Sequence, residues 1–344
     1  MMKDSLSSKL PYNLKDAKQI IWRRTWNKPA ARFLGTFLGL KQRFFNTVLR
    51  RKNELDDLGQ SQFLNDSFTN FSGSLRYHLF IPSNHHAGMS LLVMLHGCNQ
   101  DAEIFSVGTR MNEHAEQLGF MVLYPAQSGA ANANKCWNWF KSANQYRNMG
   151  EPAVIAGMTK KIMREYAINS RKVYIAGLSS GAAMAYIVGS VYADIFAAIG
   201  VHSGLLYRGV NNIFSALAAM KAGSEQAGQT SEITEQELAP RITQPLIIFH
   251  GDNDQVVHAQ NAIDLMAYHH QQEFFKQHSH HESEKNYSHT RTIYKDANGA
   301  DLAEKWIIHG AGHAWSGGCV DGNFTDPKGP DASFEMLRFF MKLT

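Results

Sequence analysis

Apolar and polar positions change rhythm twice along this chain. Between residues 12 and 52, Ile20, Ile21, Trp22, Trp26, Phe33, Leu34, Phe37, Leu38, Phe44, Phe45, Val48 and Leu49 recur near helical spacing among many basic residues. Pro29 interrupts this stripe and predicts two helices in place of one. Residues 53–70 are polar and read as a linker. From residue 74 onward, short apolar runs alternate with longer amphipathic ones. The runs 75–81, 91–95, 120–124, 173–176, 197–202, 246–249, 290–294 and 305–308 predict strands, and 151–166 and 181–192 predict helices. Strands alternating with helices predict an α/β fold: a mostly parallel central sheet with helices on both faces, its first two strands pairing antiparallel at one edge. The expected division is a basic helical extension and linker over residues 1–73 and one α/β domain over 74–344. Two polar stretches interrupt that domain. Residues 222–240 read as a loop. Residues 258–289 hold seven histidines (His258, His269, His270, His278, His280, His281 and His289) and read as an exposed insertion, because no HExxH or comparable ligand spacing accompanies them.

Composition changes this picture little. With 344 residues, 44% of them apolar and 19% charged, the chain can bury a sizeable core. Charge is uneven. Residues 1–60 hold 13 Lys or Arg against 5 Asp or Glu, a balance of +8, so the rest carries −4 of the net +4. The basic stripe either docks on its own domain or lies on an anionic surface, such as a granule or membrane; nucleic acid is not an expected partner. No apolar run approaches the roughly 18 residues of a membrane span, and the charged N-terminal region lacks the apolar core of a secretory signal. Cytoplasmic residence is therefore expected. Three cysteines make no disulfide framework; Cys98 and Cys136 could pair, leaving Cys319.

The candidate chemistry lies at strand ends. The strand ending at Ala176 runs into Gly177-Leu178-Ser179-Ser180-Gly181 and then into a helix of small residues. A G-x-S-x-G sequence between strand and helix makes a sharp turn that projects the serine hydroxyl at a helix N-terminus. Ser179 is thus the candidate nucleophile. The strand 91–95 ends in His96-Gly97-Cys98, which by position supplies a backbone N–H from Cys98 to an oxyanion hole, with Ser180 giving the second. A serine hydroxyl needs a base, and the base needs an acid, in the order Ser, acid, His. The strand 246–249 is followed by Asp252 and Asp254. Asp254 is preferred because it lies deeper in its loop. The strand 305–308 is followed by His309 and His313. His313 is preferred because glycines surround it, whereas His309 stays close to the strand. His96, His202 and His250, also at strand ends, are expected to shape the site. No cofactor or metal is implied.

The segments Leu95-His-Gly-Cys-Asn-Gln100, Lys135-Cys-Trp-Asn-Trp-Phe140, Gly177-Leu-Ser-Ser-Gly181, His250-Gly-Asp-Asn-Asp254 and Gly310-Ala-Gly-His-Ala-Trp-Ser-Gly-Gly318 together resemble the polyhydroxybutyrate (short-chain polyhydroxyalkanoate) depolymerase family of esterases, itself related to feruloyl and acetyl xylan esterases. The resemblance covers residues 75–344. It implies an α/β-hydrolase fold and hydrolysis of 3-hydroxybutyrate-type esters through an acyl-enzyme, without a cofactor. It favours Asp254 over Asp252 and His313 over His309. It further implies a Cys98–Cys136 disulfide, and a substrate cleft lined by Trp137, Asn138, Trp139 and Trp315. With no separate polymer-binding domain expected, oligomers, amorphous polymer or small esters are the implied substrates. The rival readings are a carbohydrate esterase on the same fold and a non-catalytic binding protein that retains its shape.

Overall fold

A computed structural model describes residues 59–207, 210–223, 244–269, 275–282 and 286–343. The expected helical extension, and nearly all of the expected loop over 222–240, lie outside the described residues. Ten strands form one mixed sheet in the order β1-β2-β4-β3-β5-β6-β7-β10-β9-β8. They are β1 (Gln62–Asn70), β2 (Gly73–Ile81), β3 (Ser90–Leu95), β4 (Phe120–Ala126), β5 (Val173–Leu178), β6 (Ala198–His202), β7 (Leu246–Gly251), β8 (Phe275–His281), β9 (His289–Lys295) and β10 (Asp301–Ile308). The six central strands, β4, β3, β5, β6, β7 and β10, run parallel, and antiparallel pairs close both edges.

The central strands are apolar almost without interruption because both of their faces are covered. Leu91, Val93 and Leu95 of β3 enter one core with Ile155 and Met158 of α3 (Gly150–Glu165) and Ala183 and Ile187 of α4 (Ser180–Val191). Leu92 and Met94 enter a second core with Phe105 of α1 (Ala102–Thr109), Met111 of α2 (Met111–Leu118) and Leu337 and Phe340 of α7 (Ala332–Met341). Buried Glu304 joins β10 to its neighbours: it accepts from Arg291 of β9 (2.6 Å), Arg338 of α7 (2.5 Å) and the Trp306 indole (3.2 Å). No helix among the described residues is long and apolar enough to cross a membrane.

Two expectations are corrected. The polar stretch expected as a linker is, from Gln62, the edge strand β1, paired with β2 in register from Gln62↔Ile81 to Asn70↔Gly73. It lacks an apolar signature because an edge strand is largely solvated. It is tied to β2 and to α3: Phe63 stacks on His78, Asp66 accepts from Tyr77 and Lys161 at 2.9 Å each, and Asn70 Nδ2 donates to the Ala153 carbonyl (2.9 Å). The histidine-rich stretch, expected as an exposed insertion, is exposed along Phe275–His281 but is built into the fold. It contains α6 (Gln260–His269), whose His269 is buried with Nε2 2.7 Å from the Gln244 carbonyl, and β8, which closes the far edge of the sheet. On that edge His278 and His280 face Thr292 and Thr290 across the pair, at 3.0 and 3.1 Å.

Candidate active site

The parallel strands end on one side of the sheet, where loops from β3, β5, β6, β7 and β10 meet, as ligand sites of open α/β sheets do. Ser179 follows β5 and caps α4 with φ +56° and ψ −119°, a strained left-handed conformation for a residue with a side chain. The turn is possible because its flanks are bare. A Cβ on Gly177 would come within 2.5 Å of the Gly181 backbone, and one on Gly181 within 2.2 Å of the Leu95 carbonyl. The Ser179 amide donates to the His202 carbonyl (2.9 Å), tying the turn to β6.

Asp254 and His313 come together. His313 Nδ1 lies 2.6 Å from Asp254 Oδ2, and Asp254 Oδ1 accepts the amides of Val256 and Val257 at 2.8 Å each. Burial raises the Asp254 pKa, but the His313 hydrogen bond and charge, the Val257 amide and nearby His250 outweigh it, and the net shift is downward. His250 is fully buried, which lowers its pKa; its Nε2 donates to the Val257 carbonyl (2.8 Å), bracing the turn that presents Asp254. With Nδ1–H directed at a carboxylate, His313 is left with Nε2 as its proton acceptor. Among the described residues the Ser179 hydroxyl forms no hydrogen bond. Such bonds are often long in an unliganded site and tighten around substrate.

The two candidates passed over, Asp252 and His309, pair with each other. His309 Nδ1 lies 2.8 Å from Asp252 Oδ2, Asp252 Oδ1 accepts the Gly310 amide (2.6 Å), and His309 Nε2 meets Thr290 Oγ1 (2.9 Å). Both nitrogens of His309 are engaged, so it has none to offer a serine.

The oxyanion loop is held at every point but one. Gly97 N–H donates to Gln100 Oε1 and Asn99 N–H to the Asn134 carbonyl, both at 2.7 Å. Between them the Cys98 amide has no acceptor among the described residues, nor has the Ser180 amide in the first turn of α4. Cys98 and Cys136 form a disulfide, which ties this loop to the segment carrying the tryptophans. In that segment the two tryptophans are used for packing. Trp137 has no exposed surface; its indole donates to the His96 carbonyl (3.1 Å), and it belongs to the core behind the loop. Trp315 is equally buried, edge-on to Phe105 and stacked on His202. Asn138 and Trp139 are buried as well. Large aromatics near a site are here used for packing, since the loops need a rigid floor.

Sequence reasoning missed Glu151. Its carboxylate accepts from the Asn138 amide (2.9 Å), Asn138 Nδ2 (2.7 Å) and Gln127 Nε2 (2.7 Å). Burial raises its pKa, against the pull of those donors. Gln127 in turn donates its amide to His96 Nε2 (3.0 Å), and burial pushes the His96 pKa down to about 4. The one signal for these supports was the histidine at each strand end; nothing in the local sequence marked Glu151, whose partners lie 13 and 24 residues away.

Comparison with known proteins agrees with this geometry. The chain is 30% identical over 258 residues to poly(3-hydroxyalkanoate) depolymerase C of Paucimonas lemoignei, which covers 70% of this chain and 58% of that protein. It is 28% identical over 215 residues to probable acetylxylan esterase A of Neosartorya fischeri, covering 59% of this chain and 56% of that protein. The chain thus spans little more than half the length of these relatives. In three dimensions it is similar to an acetyl xylan esterase from Aspergillus awamori, at a TM-score of 0.58 and 21% identity, over 83% of this chain and all of that one. The family described as Esterase PHB depolymerase matches residues 75–281, more than half of the sequence, and to that family this chain belongs.

Proposed function

We propose that the chain is a serine esterase that cleaves 3-hydroxybutyrate-type oligoester or polyester bonds through an acyl-enzyme. The observation that carries this reading is the buried Asp254–His313 pair, at 2.6 Å, whose loop is tied through His202 to a strained serine at a helix N-terminus. Ser179 attacks the ester carbonyl while His313 Nε2 takes its proton, and Asp254 holds the imidazole in the required tautomer and offsets its positive charge. The Cys98 and Ser180 amides receive the carbonyl oxygen as it becomes an oxyanion. His313 then protonates the departing alcohol, and water enters by the same steps to release the acid and regenerate Ser179.

A second reading keeps this machinery and changes the acyl group or alcohol. Relatives named as acetylxylan and feruloyl esterases favour it. The deciding experiment measures hydrolysis of p-nitrophenyl butyrate, a 3-hydroxybutyrate oligomer, acetylated xylan and methyl ferulate by the wild type and by Ser179→Ala. Preference for the oligomer with an inert Ser179→Ala is the expected result; preference for sugar-linked esters transfers the substrate assignment, and no cleavage by the wild type overturns the enzymatic reading.

The basic stripe over residues 12–52 supports seating on an anionic granule or membrane surface, which fails if deletion of residues 1–52 leaves partitioning to granules and anionic vesicles unchanged. The Cys98–Cys136 disulfide favours an oxidising compartment over the cytoplasm expected from the sequence. Thiol titration of freshly isolated protein separates the two: one reactive thiol, from Cys319, supports the first, and three support the second.

A further inference from the structure

His202 ends β6, outside the proposed triad, yet it touches both halves of it. Its carbonyl accepts the Ser179 amide (2.9 Å), and its ring Nε2 accepts the amide of Ser316 (3.0 Å), three residues beyond His313. Since Nε2 is an acceptor, the proton sits on Nδ1, directed at Ser203 Oγ (3.1 Å). The ring is almost wholly buried between Phe249 and Trp315, at centroid distances of 5.9 and 5.0 Å.

The loop that His202 holds is anchored on more than one side. Gly310, Gly312, Gly317 and Gly318 surround His313; beyond it the Trp315 and Gly317 amides donate to the Phe324 and Asp326 carbonyls and Ser316 Oγ to the Pro330 carbonyl, all in the segment 324–330, whereas His202 ties the loop to β6. Asp254 restrains the His313 ring from one side, and His202 restrains the loop backbone from the other. We infer that His202 is a positioning residue: a neutral imidazole that fixes the loop carrying His313 relative to the backbone of Ser179, and so sets the distance over which the serine proton moves.

Neutrality is part of this role, because an imidazolium has no lone pair for the Ser316 amide. Burial, reinforced by the charges that His250 and His313 can carry and opposed by Asp254, pushes the His202 pKa down to about 3. The nearby His250 shows that the role is not common to every buried histidine here, since its Nε2 serves as a donor to a carbonyl.

The inference rests on the proposed triad. The test compares His202→Gln, His202→Asn and Ser203→Ala with the wild type in kcat and KM on p-nitrophenyl butyrate, together with melting temperature and fluorophosphonate titration of active sites. Glutamine can place an oxygen where Nε2 stood, and its kcat should stay within about fivefold of wild type. Asparagine reaches only as far as Nδ1 and leaves the Ser316 amide bare; its kcat should fall about 100-fold with KM within about twofold, the size of effect expected from misplacing a base by about 1 Å. Ser203→Ala, which leaves the Nδ1 proton without its acceptor and loosens the ring, should lower kcat a few-fold at unchanged KM. Equal losses in Gln and Asn, or losses that follow melting temperature alone, overturn the inference. Should the Asn variant not fold, Ser203→Ala decides, and an unchanged kcat there overturns it. Failure of the underlying triad looks different: wild-type protein that takes no fluorophosphonate, or a Ser179→Ala that stays active.

Discussion

Two Asp–His pairs stand almost side by side in this molecule, their acids two residues apart and their histidines four. Asp254–His313 and Asp252–His309 have the same chemistry and nearly the same geometry, Oδ2 to Nδ1 at 2.6 and 2.8 Å. Their surroundings differ. The side chains of the first are 0% and 9% exposed, those of the second 40% and 35%. The first acid sits on two backbone amides with His250 behind it, and its histidine's Nε2 has no partner among the described residues. The second histidine gives its Nε2 to Thr290, and its acid pins the Gly310 amide. A short carboxylate–imidazole contact is therefore no mark of a catalytic base. What separates the pairs is a dry setting, in which the contact is unscreened, and an Nε2 that has no hydrogen-bond partner among the described residues. The outer pair instead stitches the two loops together: the Asp252 and Asn253 amides donate to the Ile308 and Ala311 carbonyls, so the loop bearing the acid is laced to the root of the loop bearing the base.

The widest separation between the pairs should appear in turnover. Asp254→Asn keeps the shape but offers His313 an amide that favours the wrong tautomer, and kcat on p-nitrophenyl butyrate should fall about 10⁴-fold, as when the acid of a serine triad is so replaced. Asp252→Asn should cost less than about tenfold. Comparable losses in the two variants would break the comparison and return Asp252 to candidacy.

How far these roles were legible in the sequence differs by kind. The strand–turn–helix of Ser179 was readable because the chemistry forces a local pattern: Gly177 and Gly181 must both be glycine for backbone reasons alone. The choices of Asp254 and His313 were correct about which residues meet, but the sequence could not show that Asp252 and His309 also meet, since pairing across 57 residues leaves no local trace. The same holds for Glu151 and for the Ser316 amide on His202. Trp137 and Trp315 misled because an aromatic beside a site is as useful for packing as for binding. The strand β1 was hidden because an edge strand need not alternate, and β8 was hidden under its histidines. Central strands were read to within two residues at either end, their two buried faces leaving only apolar choices, except that β10 begins four residues before the apolar run 305–308.

The inner pair is also embedded among buried neutral histidines, which makes its neighbourhood the acid-sensitive part of the fold. The ordinary histidine pKa is 6.5; burial takes His96 to about 4 and His202 to about 3. Between those limits the unfolded chain binds protons that the folded one refuses, so stability rises with pH. The contribution is complete above about pH 6.5 and is lost as pH falls toward 4 and then 3. Asp254, with its lowered pKa, adds a loss in the same direction at the acid end. At about 1.4 kcal/mol per pH unit and group, dropping from pH 6.5 to 4.5 should remove several kcal/mol, a large share of a typical domain's stability. Urea midpoints taken across that range check this, and a flat profile would mean that the strand-end histidines are hydrated after all.

The smallest effect belongs to the outer pair, and it sharpens the comparison by its sensitivity to salt. Its side chains are over a third exposed, so when His309 is protonated their ionic attraction is worth about 0–1 kcal/mol and is screened within a Debye length of about 8 Å at physiological ionic strength. A double-mutant cycle through Asp252→Asn and His309→Gln should give a coupling energy of that size in urea unfolding at low salt, fading toward zero near 1 M. The turnover lost in Asp254→Asn should persist at the same salt, because water and ions do not reach that carboxylate. A salt-insensitive coupling in the outer pair would mean that Asp252 acts through its hold on the Gly310 amide more than through its charge. In that case its substitution should shift KM and kcat together as the base loop loosens, an outcome that kinetics on the same variants can read directly.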